Sequence, residues 1–442
     1  MNKTINTTAK TKTTNRTVKR GKVDPGFRYL GEGVKVSNDS RATGQNLNDC
    51  ILGTSGNGKT GSYVVPLLAN PFGSLVVSDT KNRLKGLFEE SLKKKGYKIE
   101  TIDFVNTDNS DGYNLLQHIG RLEDGTVIEK DIKQLASNII PPQDDKEPFW
   151  QLSAARYVSV LLAYVVESLP PKEQTMKSVC EFHNEFLGGS GKSLLDTWAY
   201  ENPKSITAKI YKQIGNTQQS DKMWGSIYEF ANQGLEPFMY REYEKIFSVS
   251  HSYEFARLGR ERTVLFINTS DNSSCFDIFT NILHTQLLQT LIREADSKDS
   301  GQLDVPVRIV LDDFAGSAKI EDFPRIISII RSRNISVSVI LQSMSQLDAM
   351  YGHANASTIM NNCSNILFMG SNDLDTAHYI SEHTNKTIHN TLELERGHAI
   401  LISSGTKARE IQMIKPYSML PAEGDENELS VGDIGHEPDI TE

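Results

Sequence analysis

Cysteine is scarce in this chain of 442 residues: Cys50, Cys180, Cys275 and Cys363 lie far apart. They form no C-x-x-C pair and no His/Cys ligand spacing. That excludes a zinc site and a disulfide framework, and leaves reduced thiols packed in cores. Long hydrophobic runs are missing too. The longest, Val158 to Val166, is too short to cross a bilayer and reads as a core helix. The N-terminus has no apolar segment of the secretory kind, which places the chain in the cytoplasm. Each end lacks one sign of charge. Residues 1–22 carry Lys3, Lys10, Lys12, Arg16, Lys19, Arg20 and Lys22 and no acid, whereas residues 422–442 carry acids and no Lys or Arg. Both ends are too polar to pack, so 1–27 reads as a disordered basic arm and 421–442 as a disordered acidic tail. The arm suits DNA phosphates or anionic lipid, and equally a plain solvated tail.

What is present is ordinary in bulk: 38% hydrophobic and 23% charged residues, with a net charge of −9. The length exceeds the size at which one core usually stops growing, so two domains are expected.

The most informative run is Gly53-Thr54-Ser55-Gly56-Asn57-Gly58-Lys59-Thr60, which fits G-x-x-x-x-G-K-[ST]. Glycines let such a loop curl with its N–H groups inward, cradling phosphates, before it opens a helix whose N-terminus favours negative charge. Lys59 then reaches the β- and γ-phosphates and the Thr60 hydroxyl holds Mg²⁺. Asp49 to Leu52 reads as the entering strand. Tyr63 to Leu68 reads as a buried helix that Pro66 should bend, because proline removes a backbone donor.

Strand-like and helix-like runs alternate around this loop, the signature of a mostly parallel α/β sheet. Ser74–Val77, Lys98–Phe104, Val264–Ile267, Val307–Leu311, Val337–Ile340, Ile366–Met369 and Ala399–Ile402 are the expected strands. From about Phe149 to Tyr243 the strand signal disappears and helices are expected at 152–169, 176–186, 194–200 and 205–230. The expected division is therefore a discontinuous nucleotide-binding domain over 28–145 and 246–420, interrupted by an all-α domain over 146–245.

Val307-Arg308-Ile309-Val310-Leu311 delivers Asp312-Asp313 at its C-terminal end. Such a strand-end carboxylate suits Mg²⁺, here at Asp312, and places Asp313 to orient or deprotonate a water. Most ATPases of this type have Glu at the second position. Asp is shorter by one methylene, about 1.5 Å, and a misplacement near 1 Å can cost on the order of 10²-fold in rate. Arg331, in Arg331-Ser332-Arg333, reads either as a cation favoured by a helix C-terminus or as an arginine finger for a neighbouring subunit. Gln342, leaving the Val337–Leu341 strand, reads either as a γ-phosphate sensor or as part of a solvated turn. The basic run Lys93-Lys94-Lys95 reads as a solvated helix face.

Several blocks together resemble the type IV secretion coupling proteins of the TraG/TraD class. They are Leu311 to Ala315, Asp322-Phe323 through Arg331-Ser332-Arg333-Asn334 to Val337, Gln342 to Leu347 and Tyr351-Gly352. Ser78-Asp79-Thr80-Lys81, Tyr113-Asn114-Leu115-Leu116, Phe149-Trp150, Asn361 to Asp373 and Glu395 to Ala399 agree, so the similarity spans roughly residues 28–420. The resemblance implies a RecA-like P-loop NTPase fold interrupted by an all-α domain, with ATP and Mg²⁺ at the interfaces of a ring hexamer. It implies a role in conjugation, with DNA, a relaxase or relaxosome and the channel ATPase as partners. By position it makes Lys59 and Thr60 phosphate and metal residues, Asp312 a metal residue, Asp313 the occupant of the catalytic Glu position, Arg331 the trans finger and Gln342 the sensor. Thr80 and Arg83 depart from the pattern near Asp79, which therefore receives no role. The membrane segment usual in the family is missing from the sequence, so docking on a separate membrane anchor protein at the inner face of the membrane is expected. Related translocases of the FtsK/HerA kind, or a weakly hydrolysing adaptor that docks substrate, are the alternatives.

Overall fold

The computed structural model describes residues 26–141, 148–187, 190–214, 221–249, 252–270, 275–314 and 319–421. The basic arm up to residue 25 and the acidic tail from 422 lie outside them. So does Ala315.

A nine-stranded sheet carries the chain. Its strands are β3 (Asp49–Leu52), β4 (Ser74–Asp79), β5 (Lys98–Asp103), β6 (Thr263–Asn268), β7 (Val307–Leu311), β8 (Ile335–Leu341), β9 (Asn365–Phe368), β10 (His398–Ser403) and β11 (Arg409–Gln412). The order is β11-β10-β9-β3-β8-β7-β4-β6-β5, parallel from β9 to β5 and antiparallel at the β9–β10–β11 edge. The central strands are buried along their whole length, as the near-continuous Val/Ile/Leu runs require of a sheet covered on both faces. Period-2 alternation divides them: Cys50, Leu52 and Val76 face one core, and Ile51, Leu75 and Val77 the other.

Asp103 of β5 and Thr263 of β6 bracket the helical region, yet the two strands pair side by side, Lys98 opposite Thr263 and Asp103 opposite Asn268. The helices Glu129–Ile139, Phe149–Ser168, Met176–Leu187, Ser190–Glu201, Ile206–Ile214, Asp221–Met239 and Arg241–Phe247 all fall between them. The expected single helix over 205–230 is thus two. The helical region shares one continuous core with a face of the sheet, through Phe104, Tyr113, Phe247 and Phe279 among others. The Phe149–Ser168 helix corrects the sequence reading. It has twenty residues and a mean hydropathy of 1.3, enough by length and composition to cross a membrane, but 67% of that stretch is buried inside the fold.

Other corrections are local. A hairpin, β1 (Phe27–Gly31) and β2 (Val34–Ser37), precedes β3, and its first residue, Phe27, falls inside the range assigned to the arm. The second edge strand β11 and the helix His353–Asn361 had no separate signal in the sequence. Cys50, Cys180 and Cys363 are free and buried, as expected of packed thiols. Lys93 pairs with Glu89 one helical turn away, the solvated face that was expected.

Beneath the site lies a buried ionic cluster centred on Asp49. Arg28 donates to both its carboxylate oxygens at 2.7 Å, Tyr63 donates at 2.7 Å, Asn365 at 2.9 Å and Arg308 at 3.3 Å. Burial pushes the Asp49 carboxyl upward, but Arg28 and Arg308 outweigh it and hold the group below the usual carboxylate range. Removing one member of such a cluster leaves the others buried and uncompensated. Asp49→Ala is expected to cost about 3–5 kcal/mol, read as a lowered midpoint in urea unfolding.

Three buried imidazoles set a pH dependence. His118, stacked on Phe255 at 4.3 Å, is pushed down to about 3 by burial, with a further push from Arg293, and His183 and His284 are each pushed down to about 4 by burial. Below pH 6.5 the unfolded chain binds protons that the folded chain refuses, so stability falls as pH is lowered. The melting temperature should already decline between pH 6.5 and about 5, above the range where carboxylates titrate. A His118→Asn, His183→Asn, His284→Asn triple variant should flatten that part of the profile.

Candidate active site

β3, β8 and β7 are consecutive in the sheet, so their C-terminal ends open side by side. Open parallel sheets bind ligands in the crevice at that end. The loop after β3 supplies Lys59 and Thr60, the end of β7 supplies Asp312 and Asp313, and the end of β8 supplies Gln342.

The loop is tied to the strand ends around it. Gly53 N–H donates to the Leu341 carbonyl at 3.1 Å, and Thr54 N–H to the Gly370 carbonyl at 3.1 Å. The Asn57 amide donates to the carbonyls of Met369 and Gly370 at 2.9 and 3.2 Å. Gly58 takes φ +76, a left-handed conformation that side-chain-bearing residues rarely adopt. The Lys59 ammonium donates across the loop to the carbonyls of Gly53 and Thr54 at 2.6 and 3.0 Å. Burial lowers its pKa, against the pull of Asp312 and Asp313.

The helix that follows differs from the expected bent α-helix. Thr60–Val64 is a π-turn in which Val65 N–H bonds the Thr60 carbonyl, and an α-helix Val65–Ala69 continues from it with Pro66 in its first turn. Proline is tolerated in the first turn of that α-helix, and the carbonyl its missing N–H would have served in the π-register, that of Gly61, accepts from Tyr417 N–H instead.

Across the crevice, the Thr60 hydroxyl donates to Asp312 Oδ2 at 2.7 Å, and the Asp313 N–H donates to Asp312 Oδ1 at 3.1 Å. Burial raises the Asp312 carboxyl; the Thr60 bond, the Asp313 N–H and Lys59 pull it back. Asp313 takes φ +52, and Gln342 Nε2 donates to its Oδ1 at 3.2 Å. A left-handed Asp at a strand end is uncommon and is found where surrounding structure fixes it.

Arg331 is not part of this group. It opens the 3₁₀ turn Arg331–Arg333 that feeds the N-terminal end of β8, so the length of that strand, about 20 Å at 3.3 Å per residue, separates it from Gln342. It is exposed, and lines a cavity of about 410 Å³ with Arg308 and Asn334. Asp79 proves structural: its buried carboxylate accepts from the N–H groups of Leu84 at 2.6 Å and Lys81 at 3.3 Å, starting the helix Leu84–Lys94.

Three features here were not found from sequence. Arg308 of the Asp49 cluster carried a signal, a cation in the middle of an apolar strand. The bond from Asn57 to Gly370 joins two motifs that the sequence reading treated separately. Pro416 and Tyr417, which cover Gly58 and Gly61, stand in a segment without any motif.

A hydroxyl, a carboxylate and a lysine at the start of a helix form a hard-oxygen, cationic set that fits a magnesium-bound polyphosphate. Among the described residues no group of three or more His, Cys, Asp and Glu could hold a metal by itself. That matches Mg²⁺, which is usually bound by one or two carboxylates together with substrate phosphates. Fold and site define a RecA-like P-loop NTPase with a helical domain.

The chain belongs to the type IV secretory system conjugative DNA transfer family, whose model matches residues 2–409. A probable conjugal transfer protein TraG of Sinorhizobium fredii is 25% identical over 391 residues, covering 85% of this chain and 58% of that protein. The chain thus spans less than two thirds of the length of the curated relatives it matches. Plasmid coupling protein TrwB, solved with a non-hydrolysable GTP analogue, superposes with a TM-score of 0.65 at 13% identity, covering 88% of this chain and 89% of that one. TrwB solved with ADP and Mg²⁺ gives 0.64 at the same identity and coverage. At that identity the likeness is one of fold.

Because burial opposes the charged form of Asp312, Asp312→Asn should leave the melting temperature of the ligand-free chain unchanged or raise it by a few degrees. The same variant should weaken magnesium-dependent nucleotide binding, measured by calorimetry.

Proposed function

We propose that this chain binds and hydrolyses ATP as a coupling protein of conjugation, recruiting relaxase-bound DNA and delivering it to a type IV secretion channel. The observation that carries the reading is the 2.7 Å contact between Thr60 and Asp312, residues 252 positions apart. It joins the phosphate loop to the strand-end carboxylate with Lys59 alongside.

In this reading the loop from Gly53 to Thr60 holds the phosphates, and Thr60 and Asp312 hold Mg²⁺. When bound, the ion neutralises charge on the β- and γ-phosphate oxygens. Asp313 orients the attacking water and accepts its proton, while Gln342, bonded to Asp313, registers the γ-phosphate. Arg331 serves a neighbouring copy's nucleotide, since it lies at the wrong end of β8 for its own. That assignment implies a homo-oligomer, for which we propose a hexamer formed with ATP or DNA. The nucleotide domain is assigned to 28–145 and 246–420 and the all-α domain to 146–245. DNA is gripped through its phosphates, so binding is sequence-tolerant and salt-sensitive. Contact with the channel ATPase and with a separate membrane anchor protein keeps the chain at the inner face of the cell membrane.

Asp313 favours a second reading, an adaptor that binds ATP tightly, hydrolyses little and docks substrate. A translocase of the FtsK/HerA kind would use the same phosphate site, but the helices between β5 and β6 favour the coupling role.

Steady-state ATP hydrolysis with and without single- and double-stranded DNA separates these. DNA-stimulated turnover supports the motor, whereas tight ATP binding with negligible turnover supports the adaptor. Asp313→Asn should abolish turnover and Asp313→Glu should keep or raise it; wild-type turnover in Asp313→Asn removes Asp313 from the role of base.

A further inference from the structure

Six non-glycine residues among those described have positive φ, and five of them are Asn or Asp, which tolerate it. The sixth is Tyr417, at φ +59. A bulky residue in that region persists only where its surroundings fix it, and such residues cluster at functional sites.

The surroundings are those of the phosphate loop. After β11, Met413 N–H bonds the Gly397 carbonyl at 2.8 Å and Met413 and Ile414 are buried, anchoring the chain. It then crosses the first turn of the loop helix. Tyr417 N–H donates to the Gly61 carbonyl at 3.2 Å. In the π-register the donor for that carbonyl would be residue 66, which is proline and has none. The crossing segment therefore completes the helix where Pro66 interrupts it.

The contact is close. A Cβ on Gly61 would stand 2.8 Å from Pro416 Cβ and 3.0 Å from Cδ2 and Cε2 of the Tyr417 ring, and one on Gly58 would stand 2.9 Å from Pro416 Cγ. The ring thus lies directly against the residue after Thr60. It is half-buried, with Arg83, Asp312 and Asp79 within electrostatic reach of its hydroxyl.

Polarity along the loop says what this wall meets. Asp313 and Gln342 mark the γ-phosphate end, Lys59 reaches the β- and γ-phosphates, and backbone N–H groups hold the α- and β-phosphates. A nucleotide so oriented sends its sugar and base away from Asp313, past the first helical turn. We propose that Pro416 and Tyr417 form the nucleoside subsite, with the Tyr417 ring stacking on the nucleobase. This rests on the nucleotide reading above and adds a recognition element that the phosphate motif lacks: an aromatic face specific for ligands that carry a base.

The test compares ligands with and without a base. Affinities of the full chain for ATP and for inorganic tripolyphosphate, both with Mg²⁺, are measured by calorimetry in the wild type and in Tyr417→Ala, Tyr417→Leu and Tyr417→Phe. Base–aromatic stacking should make ATP bind about tenfold or more weakly in the Ala and Leu variants, leave tripolyphosphate within about twofold, and be restored in Phe. Tyr417→Leu keeps bulk against Gly61, so the comparison survives if Tyr417→Ala does not fold. Equal loss for both ligands would make Tyr417 a brace of the loop and overturn the proposal, as would no loss for either. A wild type that binds tripolyphosphate, but binds ATP no better, overturns the subsite alone; a wild type that binds neither overturns the nucleotide reading and the subsite with it.

Discussion

One buried carboxylate holds together the elements from which the site is built. Asp49 opens the strand that leads into the phosphate loop. It accepts from Arg28 of the N-terminal hairpin, Tyr63 of the loop helix, Arg308 of the strand that ends in Asp312, and Asn365 of β9. The strand, the helix after the loop and the strand that ends in Asp312 therefore share one charged anchor at the end of the sheet away from the site. Two guanidiniums surround one carboxylate, so the cluster needs its neutral acceptors. Arg308 also donates to the Leu47 carbonyl at 3.0 Å and the Ser338 hydroxyl at 3.0 Å, and Arg28 to the Ser37 carbonyl at 2.8 Å. Such clusters are costly to desolvate and are most defensible as devices that fix geometry. Here the geometry fixed is the relative height of β3 and β7, which decides whether Thr60 and Asp312 meet.

With that register set, the parallel order does the remainder. Leu52 lies opposite Leu341, and Leu311 opposite Val339. The loop and the two carboxylates leave the sheet within about two residues of one another. The helical region enters between β5 and β6, at the far edge, where it extends one core. A large insertion there is compatible with an undisturbed site because the paired strands on either side of it remain adjacent.

The parts legible in sequence were those whose meaning is local. The phosphate loop depends on residue types at fixed spacing, and the β7 carboxylate on an apolar run followed by Asp; both stand where they were expected. The alternation of strands and helices gave the parallel sheet. Illegible were features that depend on which distant segments meet. Nothing near Asp49 marks it as a charge centre, since Asp also begins turns. Pro66 announces a disturbance, but not that it is a π-turn whose Gly61 carbonyl accepts from Tyr417, more than 350 positions later. The hairpin at Phe27–Ser37 was hidden by its proximity to a basic, polar end.

The positions of Asp313 and Arg331 belong to one argument. Asp313 has a short carboxylate on a left-handed backbone, and its Oδ1 already accepts from Gln342. In the proposed reading that bond couples the carboxylate that would orient a water to the amide that would register a γ-phosphate, so a shift in one would move the other. Arg331 is a strand length away in the same chain. If it is the cation for the transition state, a single copy carries only part of the machinery, and turnover must wait for a neighbour. In the proposed reading a short base and a borrowed arginine would both lower hydrolysis by the isolated chain. In the coupling reading that is useful restraint, because ATP is then consumed only where copies have assembled around a substrate.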